Sequence, residues 1–265
     1  MSVAAGQDTI AAAFGTSGKR AALMPYLMGG FPDLGTSRAI GEAYAESGAD
    51  LVELGVPFSD PLADGPVIHA ADTAALAAGA TLHGVLEVGR TLTEAVPVVL
   101  MCYANLVLAR GLERFADELA ERGISGLIVP DLPLEEAGDA LRACDAAGIA
   151  LVPLVAPTTP DERLAAIGRA ARGFVYTVAV TGTTGERQGL DDETAAVLAR
   201  TKARTDVPVA LGFGIGTPEA AAAAADAGAD GVIVGTRLVR AVAEAEDPAA
   251  AVGELVRALA GGLIR

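Results

Sequence analysis

Apolar residues along the chain gather into eight short runs separated by longer stretches of helical period. The runs are Leu23 to Met28, Leu51 to Gly55, Pro97 to Met101, Gly126 to Val129, Ala150 to Leu154, Phe174 to Val178, Val207 to Gly212 and Gly231 to Val234. Each is too short for a helix and is bounded by turn residues, so each predicts a buried strand. The intervening stretches predict helices at about Gly35–Glu46, Gly84–Glu94, Leu112–Glu121, Leu134–Ala147, Pro160–Ala170, Asp192–Lys202, Pro218–Ala227 and Arg237–Ala245. Thr159-Pro160-Asp161 and Thr217-Pro218-Glu219 place a capping hydroxyl and a first-turn proline where two of these begin. Further helices are expected at Gln7 to Phe14 and Pro248 to Ala260.

One junction recurs. A helical stretch ends in a small residue and glycine, and a strand follows at once: Ser47-Gly48-Ala49-Asp50, Arg122-Gly123-Ile124-Ser125, Ala147-Gly148-Ile149-Ala150 and Ala227-Gly228-Ala229-Asp230. Glycine closes a helix cheaply in the left-handed region, and a strand flanked by helices suits a parallel sheet. Eight such units predict an α/β fold of the (β/α)8 TIM-barrel type, with extra helices at both ends. The 265 residues fit one such domain, spanning 1–265. An open doubly wound sheet is the alternative; it would want a glycine fingerprint after the first strand, where the chain reads MGGFPD.

Composition narrows the function. A formal charge of −15 argues against nucleic acid or an anionic membrane as partner. No apolar run approaches the ~20 residues of a membrane helix, and Ser2 to Phe14 lacks the basic start and apolar block of a secretory signal. A cytoplasmic protein is expected. Cys102 and Cys144 have neither metal spacing nor a disulfide framework and read as buried thiols.

In a barrel the chemistry gathers where the strands end. The second strand carries Glu53 in LVEL and leads into GVPFSDPLADGP, where Pro57, Pro61 and Pro66 stiffen a loop presenting Asp60 and Asp64. Glu53 and Asp64 therefore read as a preorganised acid pair. A carboxylate in such an apolar run is costly to bury, and burial raises its pKa; a Glu satisfied by a nearby backbone group or cation is the plainer alternative. Glycine-rich ends follow the sixth, seventh and eighth strands: Gly182 to Gly189, Gly212 to Gly216, and Gly235 with Thr236. Neighbouring glycine turns ahead of helix N-termini suit a phosphate, unless they are merely three tight turns. Tyr26, Met101, Leu154, Tyr176 and Phe213 would wall a flat apolar substrate end or fill the core.

Two absences shape the reaction. The only lysines, Lys19 and Lys202, lie off the strand ends, so imine chemistry has no nucleophile. The two histidines, His69 and His83, also lie off the strand ends and read as helix-surface or capping residues, so no metal site is expected. Acid–base chemistry by carboxylates on a phosphate-anchored substrate remains.

The run LVELGVPFSDPLADGPVI, preceded by MPYLMGGFPD and followed by YANLV, PDLPLEE and GFGI, resembles the tryptophan synthase alpha subunit family over nearly the whole chain. The resemblance implies retro-aldol cleavage of indole-3-glycerol phosphate to indole and glyceraldehyde 3-phosphate. It matches Glu53 and Asp64 to the family's catalytic acids. It places Met101, Tyr103, Tyr176 and Phe213 around the indole, Thr184 on a closing loop, and Gly185, Gly214, Gly235 and Thr236 around the phosphate. No cofactor is implied in this chain; pyridoxal phosphate is expected only in a beta subunit, to which indole passes within an αββα complex under allosteric control. Ala179 and Thr183 depart from the family's usual loop, and Thr236 and Arg237 from its usual residues after the eighth strand. A stand-alone lyase releasing free indole, or a weakly active binding subunit, are the competing readings.

Overall fold

The computed structural model describes residues 5–178, 192–212 and 214–264. In chain order the elements are α1 (Ala5–Thr16), β1 (Ala22–Met28), α2 (Leu34–Glu46), β2 (Val52–Gly55), α3 (Pro66–Ala77), α4 (Leu82–Leu92) and β3 (Val98–Met101). There follow α5 (Ala104–Arg110), α6 (Leu112–Glu121), β4 (Gly126–Ile128), α7 (Gly138–Ala147), β5 (Ala150–Val152), β6 (Leu154–Val155), α8 (Asp161–Ala170) and β7 (Val175–Val178). The chain ends with α9 (Asp192–Lys202), β8 (Val209–Gly212), α10 (Pro218–Asp226), β9 (Gly231–Val234), α11 (Thr236–Glu244) and α12 (Pro248–Gly262).

All pairings are parallel, in the order β5-β4-β3-β2-β1-β9-β8-β7-β6. The two ends of that order are halves of one strand. β5 pairs with β4, β6 pairs with β7, and Pro153 sits between them with its carbonyl accepting from Tyr176 N at 3.0 Å. Proline has no N–H for the ladder, so the predicted fifth strand splits at that residue. Eight strand positions thus close into the predicted barrel.

The junction glycines behave as read. Gly48, Gly123, Gly148 and Gly228 have φ of 102°, 75°, 76° and 97°, the left-handed region in which a side chain would be strained. Period-two alternation then sorts the strands. Met24, Val99, Ile128, Val152, Phe174, Tyr176, Ala210 and Ile233 pack together inside the barrel, while Leu23, Val52, Leu54, Val98, Leu127 and Val232 pack outward against the helices. Helix α1 plugs one end: Ile10 is fully buried in the interior cluster and Phe14 tilts against Phe174 at 5.7 Å.

One predicted boundary changes and two helices are added. Helix α7 starts at Gly138, because single turns, with Glu136 N donating to Pro133 O and Ala137 N to Leu134 O, occupy the preceding residues. Helices α3 and α5 were not predicted; Pro66, expected only to stiffen the loop, is the first residue of α3.

Two of the junctions carry an aspartate that secures the plugged end. Asp50 accepts from Leu23 N at 2.7 Å and from Lys19 Nζ at 2.8 Å. Asp230 accepts from Val209 N at 2.9 Å and from Lys202 Nζ at 2.6 Å. Both lysines are thus spent on strand starts, away from the mouth where the strands end. Removing a carboxylate from a charged, largely buried hydrogen bond costs roughly 2–3 kcal/mol. Asp50→Ala should lose about that much in urea unfolding while keeping its turnover number; an unchanged unfolding midpoint would contradict this role.

Candidate active site

Glu53 sits on β2 with its side chain on the interior face, in register with Tyr26 of β1 and Val99 of β3. It is 4 % exposed, and neither carboxylate oxygen has a hydrogen-bond partner among the described residues. Among the described residues, no group satisfies Glu53 as the plainer alternative would require. Burial, and secondarily the charge of Asp64, push its carboxyl up to about 8. At neutral pH this group holds its proton.

Asp64 hangs over the same space from the loop after β2. Tyr103, the residue preceding α5, donates its hydroxyl to Asp64 Oδ2 at 2.8 Å and accepts from Ala63 N at 3.0 Å. Burial raises the Asp64 carboxyl, while the Tyr103 hydroxyl and the charge of His69 pull the other way. Two carboxylates on different elements thus meet under different influences: one without partners, the other held by a phenol. Asp60, expected beside Asp64, instead faces solvent and accepts from Ser59 Oγ at 2.6 Å.

Two aromatic walls converge on the pair. Tyr26 and Tyr176 are both buried, and both phenols are raised well above their usual range, first by burial and then by neighbours that include Glu53 and Asp64. The space each ring occupies is left by a glycine on the adjacent strand: a Cβ at Gly55 would overlap Tyr26, and one at Gly212 would overlap Tyr176. Met101 packs against the cluster that contains Tyr26, and Leu154 lies beside Tyr176 in register.

Of the phosphate candidates, Gly214, Gly235 and Thr236 lie among the described residues. β8 and β9 are adjacent. Gly214 follows β8, Gly235 caps α11, and Thr236 is that helix's first residue. Gly235 also approaches Tyr26, since an added Cβ would stand 3.6 Å from the Tyr26 Cβ. The first-turn amides of α11 thus begin beside the wall that Glu53 faces. Thr184, Gly185 and Phe213, with the rest of the Gly182 to Gly189 turn, lie outside the described residues.

Sequence reasoning missed Asp72. It lies on α3, is 1 % exposed, and accepts from Phe58 N at 3.1 Å. Burial first, and the charge of Asp64 last among its influences, push it up to about 7 against that amide bond. Nothing in VIHAADTAALA marks this aspartate as buried, because α3 itself went unpredicted. His69 is exposed on the same helix, as expected, yet its charge reaches Asp64. Among the described residues no group of three or more His, Cys, Asp or Glu is arranged to hold a metal ion.

Because the folded protein keeps protons on Glu53 and Asp72 that the unfolded chain releases near pH 4, their contribution to stability is fully present in acid. It is lost as pH rises through about 7 and 8, by up to about 1.4 kcal/mol per pH unit for each group. The thermal midpoint should fall between pH 5 and pH 8.5, and Glu53→Gln should flatten that fall. An equal fall in wild type and variant would contradict the burial cost assigned to Glu53.

Comparison with known proteins converges on one family. Residues 14–262 match the family model described as tryptophan synthase alpha chain. The tryptophan synthase alpha chain of Prochlorococcus marinus (strain MIT 9313) is 50 % identical over 228 residues, covering 85 % of this chain and 83 % of that one. Among solved structures, a chain of Mycobacterium tuberculosis tryptophan synthase superposes with a TM-score of 0.91 at 39 % identity, covering 97 % of this chain and 98 % of its own. A chain from a Pyrococcus furiosus structure, described as the basis of mutual activation of the tryptophan synthase a2b2 complex, gives 0.86 at 35 % identity, with 92 % and 98 % covered.

Proposed function

This chain belongs to the tryptophan synthase alpha chain family, and from that premise we propose that Glu53 and Asp64 carry the family's lyase reaction. The protein is the alpha subunit that cleaves indole-3-glycerol phosphate in tryptophan biosynthesis. The observation that carries the residue assignment is the pairing of a buried Glu53, without a hydrogen-bond partner among the described residues, with an Asp64 held by Tyr103.

The chemistry follows from those states. Protonated Glu53 delivers its proton to indole C3 while Asp64 takes the proton of the ring N–H, giving the neutral 3H-indole tautomer. Glu53, now a carboxylate, accepts the proton of the side-chain hydroxyl on the carbon attached to C3. The C–O bond becomes a carbonyl, the bond between that carbon and C3 breaks, and its electron pair restores the ring double bond. The ring nitrogen recovers its proton from Asp64. Glu53 ends protonated and Asp64 ionised, ready for another turnover. Each positioned proton transfer is worth typically 10²–10⁴-fold. A glutamate held near pH 8 donates readily, and its conjugate base is strong enough to assist an alkoxide.

Tyr26, Met101, Tyr103, Tyr176 and Phe213 would wall the indole, and Thr184 would close over it. Gly185, Gly214, Gly235 and Thr236 would take the phosphate, with the α11 N-terminus supplying amides and its dipole. One barrel domain would carry the whole site. The pyridoxal phosphate of the complete synthase belongs, in this reading, to the beta subunit, the partner of this chain. The surface around the site supports such docking: Leu62 is 93 % exposed on the loop after β2, and Leu108 is 62 % exposed on α5. Apolar side chains displayed this fully beside a site are more useful covered than wet.

Indole release from indole-3-glycerol phosphate should be measurable with the chain alone and should accelerate when a beta subunit is added. Glu53→Gln and Asp64→Asn should each lose at least about 100-fold in turnover number. Full activity in Glu53→Gln would remove the proposed mechanism. Leu62→Glu should weaken the acceleration by the beta subunit without lowering the basal rate; an unchanged response would remove Leu62 from the docking surface.

A further inference from the structure

The reaction as written uses two carboxylates, yet the site gathers three. Asp72 is not required by any proton transfer, and its surroundings are costly: it is almost wholly enclosed, and its Oδ2 has no partner among the described residues. A buried carboxylate with one idle oxygen is retained only if the other does something that a cheaper residue would do less well. Oδ1 accepts the Phe58 amide, fixing the backbone in the middle of the loop that runs from β2 to Asp64. The Phe58 ring stacks on Tyr103, centroids 5.1 Å apart and planes at 20°. Tyr103 in turn holds Asp64 Oδ2 through its hydroxyl and the Ala63 amide through its oxygen. The path runs from helix α3 to the loop backbone, to a stacked ring pair, and back to the catalytic carboxylate.

We propose that Asp72 is a positioning residue for the cleavage reaction: by anchoring the Phe58 amide it sets the Phe58–Tyr103 stack, and through Tyr103 it sets the direction in which Asp64 presents its free oxygen to the ring N–H. The proposal rests on Asp64 being the group that takes that proton. The anchor is stiff because it joins a rigid helix to a proline-braced loop, whereas an exposed side chain would let the loop wander. The electrostatics agree with one shared space: the Tyr26 phenol, raised first by burial, is raised further by Asp64, Asp72 and Glu53. A misplacement on the scale of one ångström at a reacting group costs on the order of 10²-fold in rate. Losing an anchor two contacts away should cost less, on the order of tenfold. The loss should fall mainly on the chemical step, since the phosphate cradle and the Tyr26 and Tyr176 walls lie on other elements.

The test is steady-state indole release by the complex with a beta subunit, for wild type, Asp72→Asn, Asp72→Ala, Phe58→Leu and the Asp72→Ala/Phe58→Leu double variant. Asp72→Ala should lower kcat about tenfold with KM within about twofold. Asp72→Asn, which keeps an acceptor for the Phe58 amide, should recover kcat to within about threefold of wild type. Phe58→Leu should reproduce the loss, and the double variant should be no worse than either single one, because both cut the same path. Wild-type kcat in Asp72→Ala, an Asn variant as slow as the Ala variant, or additive losses in the double variant would each overturn the proposal. If Asp72→Ala does not fold, wild-type kcat in Phe58→Leu overturns it equally. A wild type that releases no indole would instead overturn the underlying assignment of function.

Discussion

The structure depends on one unfavourable burial. Glu53 points into the barrel because β2 alternates and Leu54 on its other face must meet the helices; a register shift of one residue would put leucine at the mouth and the carboxyl among the outer helices. Nothing among the described residues repays the lost hydration of that carboxyl, so burial pushes it up to about 8, and a protonated acid is what the first step of the proposed mechanism requires. The cost in stability and the readiness to donate are the same physical fact seen from folding and from catalysis.

Around this acid the mouth is assembled from different elements with separate tasks. β1 and β7 supply the tyrosine walls, and glycines on the neighbouring strands make room for them. The loop after β2 brings the second carboxylate, kept in place by a phenol from the end of β3. The β8 and β9 ends lie on the side proposed to take the phosphate, where α11 begins. The stabilising aspartates Asp50 and Asp230 lie at the opposite end, with both lysines. This division lets the mouth carry strain while the plugged end holds the barrel closed.

Much of this was legible from residue order, because strands, helix-closing glycines and proline starts are local signals. The eight strand runs and the junctions that precede them came through with small shifts at their ends. The Glu53–Asp64 pair was legible because an acid in an apolar run is conspicuous. What stayed hidden depended on tertiary closure. The fifth strand looked continuous because Pro153 breaks a pairing that exists only once the barrel closes. Helix α3 was hidden by a proline that reads equally as a loop brace, and with it went Asp72, whose burial arises only when α3 lies across the loop. Tyr103 was placed in the pocket by resemblance, but its hold on Asp64 needed coordinates. Asp60 shows the reverse: proline bracing marked the loop that presents both aspartates but could not say which of them would face inward.

The central claim is that burial, which leaves the Glu53 carboxyl without a hydrogen-bond partner among the described residues, keeps it a neutral acid at physiological pH. A carbon-13 NMR titration of the intact subunit, with its glutamate carboxyls labelled and the Glu53 resonance assigned by comparison with Glu53→Gln, measures that state directly. The account predicts a transition near pH 8. A transition near the ordinary glutamate value of about 4.3 would mean that the carboxyl is solvated or paired in solution, and the mechanism built on it would fall.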